Sequence, residues 1–117
     1  MSNFLYLFRG GDEAFNALSQ EEKQAHMELW LSWMGGLREK GTLVDGLPLS
    51  EDGRVVRKRG ELVTNGPFAE GAEMVGGYLI VSAASLDDAA EISKGCPIFD
   101  YDGAFVEVRE IQSLDDH

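Results

Sequence analysis

Two short apolar runs constrain the fold of this chain more than any other feature. The run at 4–8 reads Phe-Leu-Tyr-Leu-Phe, and the run at 77–83 reads Gly-Tyr-Leu-Ile-Val-Ser-Ala. Their length and their aromatic and β-branched content are typical of buried strands, and neither approaches the length of a membrane span. The sequence therefore predicts two strongly buried β-strands, far apart along the chain.

Two capped segments predict helices between the strands. Ser19 followed three residues later by Glu22 is a capping box, which satisfies two otherwise unpaired backbone N–H groups. The helix that begins there is expected to end near residue 40, where Gly41 supplies the left-handed stop. Ser85 begins a second helix with an acidic first turn, and Pro97 lies just beyond its expected end at 94–95.

The remaining apolar segments are shorter. Residues 42–45 predict a strand, 54–58 and 61–64 predict a hairpin turning near Arg59, and 104–111 alternates apolar and polar residues as a half-exposed last strand does. Without the hairpin the order is βαββαβ, which predicts an α+β, ferredoxin-like subunit. Helices on one face of such a sheet leave the other face to be covered, and a second copy of the chain would cover it. We therefore expect a homodimer.

The length, net charge and cysteine count restrict the number of domains, the expected partners and the expected compartment. With 117 residues the chain fits one domain over 1–117, and the polar tail at 112–117 is expected to fray. The net charge of −11 would repel nucleic-acid phosphates and anionic membranes, so neither is an expected partner. Cys96 is the single cysteine, so no internal disulfide can form. No signal segment is recognised, and we expect a cytoplasmic protein.

A central motif joins the hairpin to the second apolar run. It reads Asn-Gly-Pro-Phe-Ala-Glu at 65–70, followed by Glu73 and a glycine pair at 76–77. The flanking pieces, in order, are LSQEE at 18–22, LREKG at 37–41, LVDGLPL at 43–49, KGCP at 94–97 and VEVREI at 106–111. In these pieces the chain resembles the DGPF-type proteins of the YciI-related family over nearly its full length.

The resemblance implies a dimeric α+β barrel of ferredoxin-like subunits with a cleft between helix and sheet. Two departures matter. Asn65 stands where the family motif has Asp, so an acid or base role is not expected there. Some relatives are associated with a His–Asp pair, and the corresponding histidine position falls near Trp30, one helical turn from His26, so that pair does not transfer directly.

Three side chains are candidates for catalysis. His26 is the only internal histidine, and an imidazole can act as a base near neutral pH. The alternative for His26 is a packed or solvated side chain. Glu70 and Glu73 lie three residues apart, and two close carboxylates can act as acid and base. Their alternative is a surface turn or an intersubunit ion pair.

The candidate ligand-binding residues are mostly aromatic: Trp30, Trp33, Asn65, Phe68 and Tyr78. Aromatic side chains line pockets for small organic ligands, although core and dimer packing explains the same residues. No metal or cofactor motif is recognised, and Asp100-Tyr101-Asp102-Gly103 predicts a turn rather than a calcium loop.

Three functions are compatible with these residues and with the family resemblance. The first is a small-molecule enzyme that performs elimination or isomerisation by acid–base chemistry in the helix–sheet cleft. The second is a non-catalytic small-ligand binder that uses the same cleft. The third, from the resemblance alone, is a transcription-associated interaction module.

Overall fold

The computed structural model describes residues 1–50, 52–66 and 74–114, and a four-stranded antiparallel sheet is its main element. Along the chain the elements are β1 (Ser2–Arg9), α1 (Asp12–Asn16), α2 (Gln20–Glu39), β2 (Leu43–Pro48), β3 (Gly53–Arg57), β4 (Leu62–Gly66), β5 (Val75–Ala83), α3 (Leu86–Ser93) and β6 (Phe105–Glu110). Short 3-10 segments lie at Lys58–Gly60 and Pro97–Asp100.

The main sheet has the strand order β2-β5-β1-β6, and β3 with β4 forms a separate two-stranded sheet. The apolar runs at 4–8 and 77–83 became β1 and β5, the two central strands. With α2 after β1 and α3 after β5, the main sheet and its helices follow the βαββαβ order. The predicted ferredoxin-like α+β subunit with an extra hairpin is therefore confirmed.

The long helix α2 begins and ends where its sequence signals lie. The Glu22 backbone N–H donates to Ser19 Oγ at 3.2 Å, and the Ser19 N–H donates to Glu22 Oε1 at 3.0 Å. At the other end Gly41 has φ +74°, which a residue with a side chain rarely adopts. Both ends of the helix that carries His26 are thus fixed by local interactions.

The core lies on one face of the sheet, beneath the helices. Phe4, Tyr6 and Phe8 alternate along β1 with side chains that are only half-buried, as the two-residue period of a strand requires. The Tyr6 hydroxyl donates a hydrogen bond to the Ala89 carbonyl of α3, which ties that helix to the central strand. Leu37 of α2 is also buried in the cluster.

Two local features differ from the sequence-based expectations. Asn65 lies in β4, opposite Arg54, one residue beyond the predicted end of the hairpin at residue 64. The helix α1 was not predicted, because it has five residues and Gly11 caps it at φ +83° without a side-chain hydrogen bond. Tail residues 115–117 lie outside the described residues.

Within the described part of the chain, no helix combines the length and the apolar character that crossing a membrane demands.

Candidate functional site

A cavity of about 370 Å³ opens between α2 and the sheet, at the edge formed by β2 and β5. Its size lies in the range of small-molecule pockets. The described lining residues are Phe8, Gly10, Gly11, Phe15, His26, Met27, Trp30, Leu31, Met34, Gly46, Leu47, Pro48, Gly76, Gly77, Tyr78, Leu79, Ile98 and Tyr101. None of these eighteen carries a formal charge at neutral pH when His26 is neutral.

Two glycines make the floor of the cavity. In the strand register, Gly77 of β5 stands between Phe8 and Pro48, and Gly46 of β2 stands beside Leu79 in the next row on the same face. A side chain at either glycine would crowd the neighbouring strand: an added Cβ at Gly77 would lie 3.2 Å from the Pro48 Cα. Both glycines belong to the described lining, and their lack of side chains lets β2 and β5 pair closely at this corner of the sheet.

His26 and Trp30, one turn apart on α2, form the polar part of the helical wall. The Trp30 indole Nε1–H donates to His26 Nε2 at 2.8 Å. A neutral imidazole that accepts at Nε2 carries its hydrogen on Nδ1, so this bond selects the tautomer. Phe8 supports Trp30 from the sheet, with ring centroids 4.9 Å apart in an edge-to-face arrangement.

The burial of His26 lowers its pKa, because a buried imidazole loses the hydration of its charged form; the negative charge of Asp100 opposes this shift. A proton on Nε2 would also remove the acceptor that Trp30 uses. His26 is therefore neutral at pH 7. In this arrangement His26 is better suited to donate from Nδ1 than to act as a base through Nε2.

Tyr101, just after the 3-10 segment, lies against His26 with ring centroids 4.7 Å apart and planes inclined at 49°. Its hydroxyl oxygen is buried and has no hydrogen-bond partner among residues 1–50, 52–66 and 74–114. Burial, and secondarily the charge of Asp100, raises the pKa of Tyr101, so the hydroxyl remains protonated. Phe15 of α1 also lies near the imidazole, with the two ring centroids 6.0 Å apart.

The structure brings three of the predicted site residues to the cavity and separates a fourth. His26, Trp30 and Tyr78 belong to its lining, although the register pairs Tyr78 with Leu7 on the sheet face opposite the helices. Trp33 is absent from the described lining and lies against the end of α3, where a Cβ added to Gly95 would be 3.0 Å from its Nε1. The backbone of Asn65 lies in β4.

The predicted residues Phe68, Glu70 and Glu73 lie outside the described residues. The described chain resumes at Met74, whose carbonyl accepts a hydrogen bond from the Gly10 N–H at 3.3 Å. Gly10 lines the cavity, so the chain resumes beside the cavity wall.

Cys96 is not among the described lining residues of the cavity. Cys96 is buried, and burial raises the pKa of its thiol to about 12, so the reactive thiolate is scarce. In the three described ranges, no group of three or more His, Cys, Asp or Glu side chains is placed to hold a metal ion.

Sequence reasoning missed Phe15 and Tyr101. Phe15 lies on a helix too short to produce a periodic pattern, and Tyr101 lies in a segment that predicted only a turn. The four-residue spacing of His26 and Trp30 was the available signal for their hydrogen bond, because residues four apart are neighbours on a helix.

Comparison with known proteins places these observations in a family. The profile of the YCII-related domain matches residues 7–114, a range that includes every described lining residue. No curated protein matches the chain. Among solved structures, the chain is similar to the 5-chloro-2-hydroxyhydroquinone dehydrochlorinase TftG from Burkholderia phenoliruptrix AC1100, in complex with 2,5-dihydroxybenzoquinone. The two are 17% identical over 90% of each chain, with a TM-score of 0.49.

Proposed function

The chain belongs to the YCII-related domain family, and we propose that it binds a small, largely apolar organic molecule in the helix–sheet cavity and moves a proton on it. The family match confirms the resemblance found in the sequence. The observation that carries the proposal is the cavity itself, because an uncharged lining beside a buried imidazole suits an organic ligand.

In the proposed reaction, His26 donates from Nδ1 to a ligand oxygen on which negative charge develops. The hydrogen bond from Trp30 holds the imidazole in the required tautomer. A neutral, buried imidazole can stabilise an enolate or a similar anion by hydrogen bonding. Glu70 or Glu73 is the proposed base, which would remove a proton from carbon. In an isomerisation the protonated glutamate would return that proton to another carbon, and in an elimination a leaving group would depart as an anion with its bonding electron pair.

The alternative is a non-catalytic binder, and the His26–Trp30 hydrogen bond favours it. That bond occupies the lone pair through which His26 would accept a proton. If neither glutamate reaches the ligand, the cavity retains donors and apolar walls but has no base. Binding would then occur without turnover.

A melting-temperature screen followed by turnover assays separates these functions. Small ring compounds that bind the native state raise its melting temperature in proportion to the logarithm of ligand excess. Compounds that do so are then tested for turnover with wild-type protein and with His26→Gln, Glu70→Gln and Glu73→Gln.

Each outcome has a definite meaning. Turnover that falls at least tenfold in His26→Gln and in one glutamate variant supports the enzyme. Turnover that is unchanged in all three variants refutes the assigned roles. Stabilisation without turnover supports the binder, and the absence of any stabilising compound contradicts both functions.

We further propose that the protein is a homodimer joined through the sheet face opposite the helices. Leu5, Leu7 and Ile80 on that face are half-buried, and Leu47 of the edge strand is 62% exposed. Apolar surface of this kind is stabilised by a second copy. Sedimentation velocity is expected to give a dimer for the wild type and a folded monomer for Leu7→Lys. A wild-type monomer at high concentration would refute the proposal.

A further inference from the structure

The charge of the cavity surroundings restricts which ligands the proposed site accepts. None of the described lining residues is a lysine or an arginine, and the whole chain carries a net charge of −11. A carboxylate or phosphate entering the cavity would lose its hydration without a cationic partner, which is costly in an apolar environment. Asp100, whose negative charge acts on both His26 and Tyr101, adds repulsion.

The polar side-chain groups beside the cavity favour hydrogen-bond donation. The acceptor atom of His26 is occupied by Trp30, which leaves Nδ1–H to donate. The Trp30 N–H is used in the same bond. The Tyr101 hydroxyl is protonated and buried, and no group in the described part of the chain is its hydrogen-bond partner. Among the described side chains that line the cavity, these donors therefore suit a ligand that supplies an acceptor atom.

The unpartnered hydroxyl is the most informative of these groups. A buried hydroxyl without a hydrogen bond costs free energy that a correctly placed acceptor recovers. Tyr101 lines the cavity and lies against His26, so an oxygen atom at the edge of a ligand is the acceptor best placed to reach both donors. Side-chain rotations on ligand binding are common, and the inference requires one that brings the Tyr101 hydroxyl to such an atom.

From these observations we infer that the ligand is an uncharged ring compound carrying a carbonyl-type oxygen, and that Tyr101 is the residue that selects for this oxygen. This inference rests on the proposed function, because it assigns the substrate class of the same cavity. Tyr101 acts here through a hydrogen bond to the bound ligand.

Three probes that share one ring system test the inference. They are 2-acetylnaphthalene, 2-ethylnaphthalene, which lacks the oxygen, and 2-naphthoate, which is anionic. Dissociation constants are measured by calorimetry at pH 7.5 for the wild-type chain and for Tyr101→Phe, whose folding is checked by circular dichroism.

The acetyl compound is expected to bind the wild type about tenfold more tightly than the ethyl compound, the usual gain from one neutral hydrogen bond. The naphthoate is expected to bind most weakly. In Tyr101→Phe the preference for the acetyl compound should fall severalfold, because only His26 Nδ1–H can still donate to its oxygen, while binding of the ethyl compound stays unchanged.

The possible failures are distinguishable. Equal affinities of the acetyl and ethyl probes in the wild type, or an acetyl preference of the same size in Tyr101→Phe as in the wild type, overturn the role of Tyr101 and leave the cavity proposal intact. If 2-naphthoate binds most tightly of the three probes, the inference that the ligand is uncharged is wrong. If no probe binds, the proposed function itself fails. Because the acetyl–ethyl comparison uses wild-type protein, an unstable Tyr101→Phe variant does not remove the test.

Discussion

The two glycines in the last third of α2 offer a prediction whose sign can be worked out from the structure. A Cβ added at Gly35 or Gly36 would meet no atom of the described residues within 4 Å, apart from immediate neighbours and the local helix backbone. Alanine is better than glycine inside a helix by about 1 kcal/mol. We therefore expect Gly35→Ala and Gly36→Ala each to stabilise the protein by about 1 kcal/mol, or ~4 °C in melting temperature for a chain of this length.

Gly46 provides the matched control, because the same substitution should have the opposite sign there. An added Cβ would clash with Leu79 Cδ2 and would lie 2.5 Å from the Tyr78 carbonyl oxygen. We expect Gly46→Ala to destabilise the protein by about 2 kcal/mol or more, since the neighbouring strand must move.

Urea denaturation followed by circular dichroism measures all three variants. A loss of stability in Gly35→Ala or Gly36→Ala would refute this prediction. It would indicate that a further contact forms on this face of α2 in solution. Repeating the measurement at several protein concentrations would then identify a second copy of the chain as that contact, because its effect grows with concentration.

Three further predictions concern buried titratable groups. The folded-state pKa of His26 lies below its ordinary value, so the stability that the neutral imidazole contributes is fully present above about pH 6.5 and falls as the pH drops below it. In urea titrations, the free energy of unfolding should therefore decrease less between pH 7.5 and pH 5.5 for His26→Gln than for the wild type. Equal decreases in the two proteins would contradict this. Tyr6→Phe should lower the free energy of unfolding by about 1–3 kcal/mol, because the Ala89 carbonyl loses its donor; an unchanged urea midpoint would argue against the bond. Cys96, buried and with a thiol pKa of about 12, should resist a thiol reagent in the native protein and react fully in urea, whereas rapid native labelling would show that the region opens.

Much of the fold could be predicted because its signals are local. The capping box at Ser19 and the left-handed Gly41 fix the ends of α2 through contacts within a few residues. The apolar runs of β1 and β5 were predicted as strongly buried strands because their length and composition are distinctive. In the structure, however, each is buried mainly on its helix-facing side, a distinction that a continuous apolar run does not encode.

The candidate site was harder to predict because it depends on register. Gly46 and Gly77 form the floor only because β2 and β5 pair so that Gly46 stands beside Leu79 and Pro48 beside Gly77. Tyr101 meets His26 only after the chain turns through the 3-10 segment beyond α3. The sequence indicates which residues are chemically suited to catalysis or binding. The strand pairing of β2 with β5 and the contact of Tyr101 with His26 are set by the tertiary fold.

The most direct test of the ligand cavity uses the two indole N–H signals of the protein. Trp30 lines the cavity and Trp33 is absent from its described lining, so the two signals report on different surroundings. In ¹⁵N–¹H NMR spectra assigned with Trp33→Phe, addition of 2-acetylnaphthalene should shift the Trp30 signal and leave the Trp33 signal nearly unchanged. Saturable binding that leaves the Trp30 signal in place, or shifts only that of Trp33, would contradict the assignment of the cavity as the ligand site.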